Sequence, residues 1–402
     1  MVHYLLATEE QRELADGARK ILERELAPRV TELEEKHEFP IDVLKTMAKA
    51  GYYNMGLPKE YGGVGLDFKT QALIYEEMAQ VDAGFSFSMS IASGIEVIAT
   101  TAMSDEVKQE MYAKALAGDI ICATALTEPN AGSDSKAIRT TAVREGNEWV
   151  LNGTKCFISN GSIANLFVVS AYVDKSKGAK GIAQFVVEKE RGVKVGKPEE
   201  KMGLRLSETS DVILENVRVP MDHMVGSLFF MRPEEGKKLM SKYGGGGGNA
   251  AILDGIAIAR ITTMFHAIGL AQSAIDHAVK YAKERRTFGK RIGDHQGLGF
   301  MLADMQMRLD AARGLAYYAV ECLDRGIPTG TLSPSTKVFV SEAAMQITTD
   351  AVQILGGYGY MKEYPVEKLM RDAKIFSIFE GTNQINKIVA SRLLLGRDTG
   401  SR

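Results

Sequence analysis

The sequence has few cysteines, and it lacks the short motifs in which cysteine or histidine binds a metal. Cys122, Cys156 and Cys322 are the only cysteines in 402 residues. An odd number at wide separations argues against a disulfide framework or a clustered thiolate site and favours a reducing compartment. The six histidines are scattered, with no HExxH spacing, so we expect no metal site.

The chain also lacks a large excess of positive or negative charge, and it lacks long hydrophobic runs. The chain has 49 basic and 51 acidic residues and a net charge of -2, which gives no general attraction to nucleic acid or to an anionic membrane. The N-terminal residues show no leader pattern of basic residues followed by an apolar stretch. No apolar run approaches the roughly 20 residues of a membrane-spanning helix. We therefore expect a soluble cytoplasmic protein with no nucleic-acid partner and no membrane span.

Familiar motifs for nucleotides and for nucleophilic catalysis are missing. The sequence contains no GxxxxGK[ST] phosphate loop and no GxSxG nucleophile turn. Its Gly357-Tyr-Gly359 is followed by Lys362, where a GxGxxG fingerprint needs a third glycine. A dinucleotide, if one binds, must therefore be held by another framework.

The spacing of apolar residues changes twice along the chain. Helical spacing begins at Thr8, which has capping-box spacing to Gln11. Short β-branched runs replace it after Ile120, and helical spacing returns after Gly248. The prediction is an α+β, mainly α fold with an N-terminal helical domain (1–119), a central β domain of sandwich or barrel-like form (120–230), a glycine-rich insert (231–249) and a C-terminal helical bundle (250–402).

The C-terminal segment is predicted to contain three long helices. Apolar positions mark helices over 261–279, 301–319 and about 335–355, and Gly356 with Gly357 stops the last one. The insert before them contains five consecutive glycines. Such a stretch favours either a mobile hinge or lid that a ligand orders, or a solvated loop without a function.

Two stretches near the start of the β domain combine tight turns with polar or aromatic side chains. In ALTEPNAGSD, 125–134, the backbone N–H groups around Ser133 suit a polar ligand edge or a phosphate. An ordinary turn has the same pattern. In KCFISNG, 155–161, Phe157 can lie against an aromatic ligand with Ser159 at its rim, and a plain strand and turn is the alternative.

Two further stretches lie beside predicted helix ends. ERRTFG, 284–289, supplies an arginine able to pair with a diphosphate, and Gln296 follows after a short loop. The alternative is a basic residue favourable to the helix dipole. QILGGYGY, 353–360, supplies Gln353 and a glycine turn at which a pyrophosphate can approach the backbone, or else a plain helix cap.

A single carboxylate stands among apolar residues in IFSIFEGTNQI, 375–385. Glu380 precedes a helix that Thr382 can cap. Apolar surroundings raise the pKa of a carboxyl group and make it a useful proton acceptor near neutral pH. A structural network can hold such a residue equally well.

Taken together, these stretches resemble the acyl-CoA dehydrogenase family over nearly the whole chain. Both signature patterns of that family are present, ALTEPNAGSDSKA at 125–137 and QILGGYGYMKEYPVEKLMRD at 353–372. The resemblance implies a helical domain, a β domain and a C-terminal four-helix bundle, with FAD between them. It also implies a homotetramer, an acyl-CoA substrate and an electron-transfer flavoprotein as electron acceptor.

The resemblance assigns a role to each candidate site residue. Glu380 matches the catalytic base, and the residues that match FAD-binding positions are Leu126, Thr127, Ser133, Phe157, Ser159, Arg285, Thr287, Phe288, Gln296, Gln353, Gly357, Thr382 and Gln384. The residues expected to contact the substrate are Ser133, Phe379 and Gly381. In some relatives the base lies on the helix near 260, but Ala259 stands there in this chain, which leaves Glu380.

The implied reaction is α,β-dehydrogenation of an acyl thioester. Glu380 takes the α-proton and flavin N5 takes the β-hydride. Ser86 stands in the stretch where glutaryl-CoA dehydrogenases have an arginine, and Phe85, Phe87 and Phe379 suit a short, cyclic or aromatic acyl group unless these rings belong to the core. The alternatives are an acyl-CoA oxidase, an enoyl-CoA reductase, a dehydrogenase of carrier-bound substrates and, more remotely, a nucleic-acid-associated member of the superfamily.

Overall fold

The structure is a computed structural model, and it describes residues 7–225 and 249–396. The N-terminal part is helical, as expected. Thr8 begins the first helix with the predicted capping box, because its side chain accepts from the Gln11 backbone while the Gln11 side chain accepts from Thr8 N. The helices are α1 (Glu9–Glu25), α2 (Val30–Lys36), α3 (Ile41–Lys49), α4 (Phe68–Val81), α5 (Ala83–Ala92) and α6 (Asp105–Leu116).

The central part folds as one curled sheet. Its strands are β1 (Cys122–Ala125), β2 (Thr141–Glu145), β3 (Glu148–Ser159), β4 (Leu166–Tyr172), β5 (Ile182–Glu188), β6 (Lys194–Val195) and β7 (Thr209–Pro220). The order is β1-β4-β2-β3-β7-β6, and β5 pairs with β4. The register between β3 and β7 shifts twice, and the second shift falls between Lys155 and Ile158. That irregularity takes Phe157 out of the ladder.

The C-terminal part is a helical bundle. It contains α7 (Asn249–Thr262), α8 (Met264–Glu284), the short strands β8 (Arg286–Thr287) and β9 (Lys290–Arg291), α9 (Gln296–Asp324), α10 (Leu332–Leu355), α11 (Val366–Ala373) and α12 (Asn383–Leu394). Helices α8, α9 and α10 pack against one another, and α4 of the N-terminal part packs against α8. Gly356 ends α10 with φ 62°, as the sequence predicts.

The structure divides one helix predicted for this region into two. The predicted helix over 261–279 is two helices, because α7 ends at Thr262 and α8 begins at Met264. The predicted glycine-rich insert, apart from Asn249, lies outside the described residues, so its role as a hinge, a lid or a plain loop stays a prediction.

A buried charge cluster joins the three parts of the fold. Lys368 Nζ on α11 contacts Asp82 Oδ2 at 2.7 Å and Asp372 Oδ2 at 2.6 Å. Asp372 Oδ1 accepts from the Leu204 backbone at 2.6 Å, and Arg371 pairs with Glu34 at 2.8 Å. Because the members come from the N-terminal, central and C-terminal parts, the cluster fixes their relative positions.

The described residues contain one stretch, Ala83–Thr100, that is long and apolar enough by composition to cross a membrane. Of this stretch 61% is buried inside the fold. Helix α5, which forms its first half, contributes Phe85 and Phe87 to a core shared by all three parts of the chain. The burial is that of a core helix.

Candidate active site

Glu380 lies in a short turn between α11 and α12 whose backbone is held from several sides. Glu380 and Gly381 both have a left-handed backbone, with φ of 53° and 78°, a conformation that is strained for the glutamate. Arg260 Nε on α7 donates to Glu380 O at 3.1 Å, and Asn386 Nδ2 donates to Gly381 O at 2.7 Å. Thr382 caps α12 by accepting from Ile385 N at 3.2 Å. The backbone of the turn from which the half-buried Glu380 side chain projects is therefore fixed.

The charge state of Glu380 is set by opposing effects. Burial raises the pKa of the Glu380 carboxyl, while the positive charges of Arg260 and Lys337 offset part of that rise. Lys337 is fully buried, its Nζ donates to Asn383 Oδ1 at 2.8 Å, and burial lowers its pKa to about 8. A carboxyl with a raised pKa beside two cations is suited to accept a proton near neutral pH.

A buried ion pair holds the loop that contains Leu126 and Thr127. Lys155 Nζ lies 2.8 Å from Glu128 Oε1 and also donates to Leu126 O at 3.1 Å. Lys155 and Glu128 are 0% and 4% exposed. Cys156 N donates to Thr127 O at 2.9 Å, which ties the loop to β3. The two motif stretches are thus brought side by side.

Phe157 is the aromatic side chain that this arrangement leaves free. It has φ 57° and lies within the β3 irregularity, and its side chain is 70% exposed. An exposed aromatic ring held by a strained backbone beside a fixed loop fits a flat aromatic ligand such as the flavin ring. Ser159, two residues further on, is half-buried at the end of β3, and Ser133 is exposed in the turn that follows the Leu126 loop.

The second set of candidate residues gathers at one end of the bundle. Arg285 follows α8, and its guanidinium lies 5.7 Å from the Tyr358 ring centroid beside the Gly357 turn. Phe288, with φ 52°, forms a tight two-residue turn between β8 and β9 together with Gly289, and its ring is 95% exposed. Thr287 pairs with Lys290 across the same turn. Gln296 begins α9, and Gln353 and Gly357 are exposed at the end of α10.

Of the rings near the base, Phe85 and Phe87 are buried in the core, and Phe379 is partly buried and packs against that core. Phe379 contacts Phe87 with ring centroids 4.8 Å apart, so Phe87 lies beside the base. Phe85 is fully buried and stacks on Phe39, so it belongs to the core. Ser86 is also buried, and its hydroxyl donates to Tyr75 O and pairs with His266 Nδ1 at 2.9 Å. Gln384 is exposed on the first turn of α12.

Three positioning residues were not among the candidates, namely Lys155, Arg260 and Lys337. Their contacts join segments far apart in the chain, such as Arg260 with the carbonyl of Glu380. A second long-range contact brings α7 to the Leu126 loop, since Leu126 and Ile256 pack on one small apolar cluster. In the sequence, the one sign of these positioning residues is that each is a basic side chain placed within an apolar run.

Family models match the chain over nearly its full length. The N-terminal, middle and C-terminal domains of acyl-CoA dehydrogenase match residues 8–119, 123–217 and 246–395. Cyclohex-1-ene-1-carbonyl-CoA dehydrogenase of Geobacter metallireducens is 42% identical, with 96% of this chain and 98% of the relative covered. 3-(Aryl)acrylate reductase of Clostridium sporogenes is 37% identical over 96% of this chain and 99% of that protein.

Solved structures are similar at the level of the whole fold. Butyryl-CoA dehydrogenase from Megasphaera elsdenii has a TM-score of 0.86 and 34% identity, with 97% and 99% of the two chains covered. A chain in a structure described as the electron transferring flavoprotein of Acidaminococcus fermentans has a TM-score of 0.88, 40% identity and coverage of 98% and 99%. A glutaryl-CoA dehydrogenase from Mycobacterium smegmatis in complex with FADH2 has a TM-score of 0.87, 27% identity and coverage of 98% and 96%.

Proposed function

Because the chain belongs to the acyl-CoA dehydrogenase family and is an oxidoreductase, we propose that it removes the α-proton and the β-hydride from a short acyl-CoA thioester. The observation that carries this proposal is the position of Glu380. Its carboxyl has a raised pKa, and its backbone is fixed by Arg260 and Asn386.

FAD is the cofactor that the described residues fit. Phe157 offers an exposed ring beside the fixed Leu126–Thr127 loop, and the M. smegmatis relative binds FADH2. FAD, when bound, supplies the acceptor for the β-hydride. Arg285 and the Gly357 turn, which lie together at the end of the bundle, would hold its diphosphate.

The chain's own residues account for the proton transfer. The thioester carbonyl accepts from the Glu380 backbone N–H, which stabilises the negative charge that develops as the α-proton leaves. The Glu380 carboxylate accepts that proton. Burial raises the pKa of Glu380, and the charges of Arg260 and Lys337 oppose that rise and favour the carboxylate form that accepts the proton.

We propose a compact acyl group, cyclic or aromatic in form. Phe379 and Phe87 form an aromatic wall beside the base, and the relative from G. metallireducens acts on a cyclic acyl-CoA. The buried Ser86 offers no cation for an ω-carboxylate.

An electron-transfer flavoprotein is the proposed electron acceptor, and the similarity to the A. fermentans structure supports it. A homotetramer is the proposed assembly, supported by large exposed aromatic side chains on the bundle, including Phe288, Phe300 and Tyr360. A cytoplasmic location is supported by the three free, buried cysteines.

The experiment is an anaerobic titration of the purified flavin-loaded protein with a panel of saturated CoA thioesters. A short cyclic or aromatic thioester should bleach the flavin absorbance, and long-chain thioesters should not. If no saturated thioester bleaches the flavin, the proposal is wrong.

The same protein should then be tested for the reverse outcome, because one relative is an arylacrylate reductase. Rapid reoxidation of the reduced protein by an unsaturated thioester, with no bleaching by the saturated one, would identify a reductase. Rapid reoxidation by oxygen would identify an oxidase.

A further inference from the structure

A cavity of about 340 Å³ lies behind the candidate active site. We call it the distal pocket. Its walls come from the loop after α3, from α4, from the end of α5 with the turn that follows it, and from α7 and the last residues of α9. Residues that matter for its chemistry are Gln71, Tyr75, Glu96, Tyr112, Asp67 and Asp324.

The distal pocket adjoins the base through two helices. On α5, Phe87 contacts Phe379, and Ser90, about one helical turn further on, lines the pocket. On α7, Arg260 donates to Glu380 O, and the preceding Ala259 lines the pocket. The helices that hold the base therefore also form the pocket wall.

An aromatic row runs between the two sites. The His266 ring lies 5.8 Å from the Phe87 ring and 5.1 Å from the Tyr75 ring, centroid to centroid. Phe87 faces Phe379 beside the base, and Tyr75 lines the pocket. The buried rings of Phe87 and His266 thus lie between the base and the distal pocket.

The lining of the pocket contains acidic side chains but no lysine, arginine or histidine. Asp67 caps α4 by accepting from Thr70 N at 2.7 Å, and Asp324 accepts from Phe68 N and Lys69 N at 2.8 and 2.9 Å. These two carboxylates are engaged in the fold.

Glu96 differs from them. Among the described residues, no other side chain hydrogen-bonds or ion-pairs with its carboxyl group, whose hydrogen bond is with its own backbone N–H. Burial raises the pKa of Glu96 to about 7. The Tyr112 hydroxyl, in the same pocket, is fully buried and has no hydrogen-bond partner. A carboxyl group that lines a cavity without a side-chain partner and a buried hydroxyl without any partner are both costly, so both point to a polar ligand group.

We propose that Glu96, with Tyr112, binds a hydrogen-bond donor, either a hydroxyl or an ammonium group, at the far end of the acyl group in the distal pocket. This inference rests on the proposed function, because it requires a thioester held at Glu380. A terminal carboxylate is disfavoured because it meets three acidic residues and no cation in the pocket lining. A terminal methyl group leaves Glu96 and Tyr112 without partners.

The test compares saturated CoA thioesters of equal chain length that end in methyl, hydroxyl, ammonium or carboxylate. Their kcat/KM values are measured with the flavin-loaded wild-type protein. The hydroxyl- or ammonium-terminated thioester should exceed the methyl-terminated one by about 10- to 100-fold, the effect of a hydrogen bond to a charged group. The carboxylate-terminated thioester should rank last.

Two variants separate the roles of charge and hydrogen bonding. Glu96→Leu should lower kcat/KM for both donor-terminated thioesters to the value for the methyl-terminated one. Glu96→Gln should abolish the preference for ammonium and retain part of that for hydroxyl, because an amide oxygen still accepts. Glu60→Gln is the matched control, since Glu60 is exposed and does not line the pocket.

Equal kcat/KM for methyl and both donor ends in the wild-type protein would overturn the inference, as would an unchanged ratio in Glu96→Leu. The proposed function stands separately if the methyl-terminated thioester still bleaches the flavin. If none of the four thioesters bleaches it, both proposals fail.

Discussion

Lys155 should be essential to the loop that we place beside the flavin, and the effect of removing it can be worked from its contacts. In Lys155→Met, Glu128 loses a cation at 2.8 Å and Leu126 O loses a donor at 3.1 Å. Breaking a buried pair costs about 3–5 kcal/mol. Glu128 keeps donors from Arg139 N at 2.6 Å and from Thr140 N at 3.0 Å, so we expect the lower end, about 3 kcal/mol.

The local stability is read from hydrogen exchange of the Arg139 and Thr140 amides, because both donate to Glu128. A loss of about 3 kcal/mol corresponds to roughly 100-fold faster exchange when the exchange rate is set by the equilibrium between the closed and the locally opened state. The flavin content of the purified variant should fall as well, since the loop is no longer fixed.

Arg218→Met is the matched control on the same sheet. Arg218 pairs with Glu145 at 2.6 Å and Glu148 at 3.3 Å, but its side chain is 51% exposed, so we expect its removal to change stability little. The double variant Lys155→Met/Glu128→Gln should recover much of the loss, because no uncompensated charge remains. Exchange in Lys155→Met no faster than in Arg218→Met would refute the reasoning.

Three other predictions concern pH, the aromatic platform and the turn at the base. Burial lowers the pKa of His223, but hydrogen bonds to Glu188 at 3.0 Å and to Asp222 at 2.9 Å raise that pKa on balance above 6.5. Its contribution to stability is therefore full below the unfolded value and is lost as pH rises through the folded pKa, so His223→Gln should lower the urea midpoint more at roughly pH 5.5 than at roughly pH 8.5. Phe157→Ala should weaken FAD binding while Phe157→Tyr retains it, as measured by fluorescence titration, and equal affinities would contradict the platform role. Gly381→Ala places a methyl group 3.4 Å from Arg260 Nη2 at a residue with φ 78°. The resulting backbone strain of about 1 kcal/mol or more should lower kcat with little change in the circular dichroism spectrum. An unaltered kcat would show that the turn tolerates movement.

The order of helix and strand could be predicted because it depends on local spacing. The capping box at Thr8 and the stop at Gly356 are encoded within a few residues. The break at Thr263 is not predictable from the sequence because apolar residues continue at helical spacing across it. Thr263 itself keeps a helical backbone, with φ -62° and ψ -26°, so the break is confined to one residue.

The residue types of the candidate site could be predicted from the sequence, but the tertiary contacts that hold those residues in place could not. Glu380 stands out in the sequence as a carboxylate among apolar residues. Its left-handed backbone and the hydrogen bond from Arg260, 120 positions earlier in the chain, depend on tertiary structure. The exposure of Phe157 likewise depends on a register shift between β3 and β7, which no local pattern specifies.

The central claim is that Glu380 accepts the α-proton, and anaerobic stopped-flow reduction of the flavin in wild-type protein and Glu380→Gln tests it most directly. We expect the variant to retain FAD and to be reduced by the same thioester at least about 10²- to 10⁴-fold more slowly, the contribution of a positioned general base. Flavin reduction at a near wild-type rate in Glu380→Gln would contradict the account.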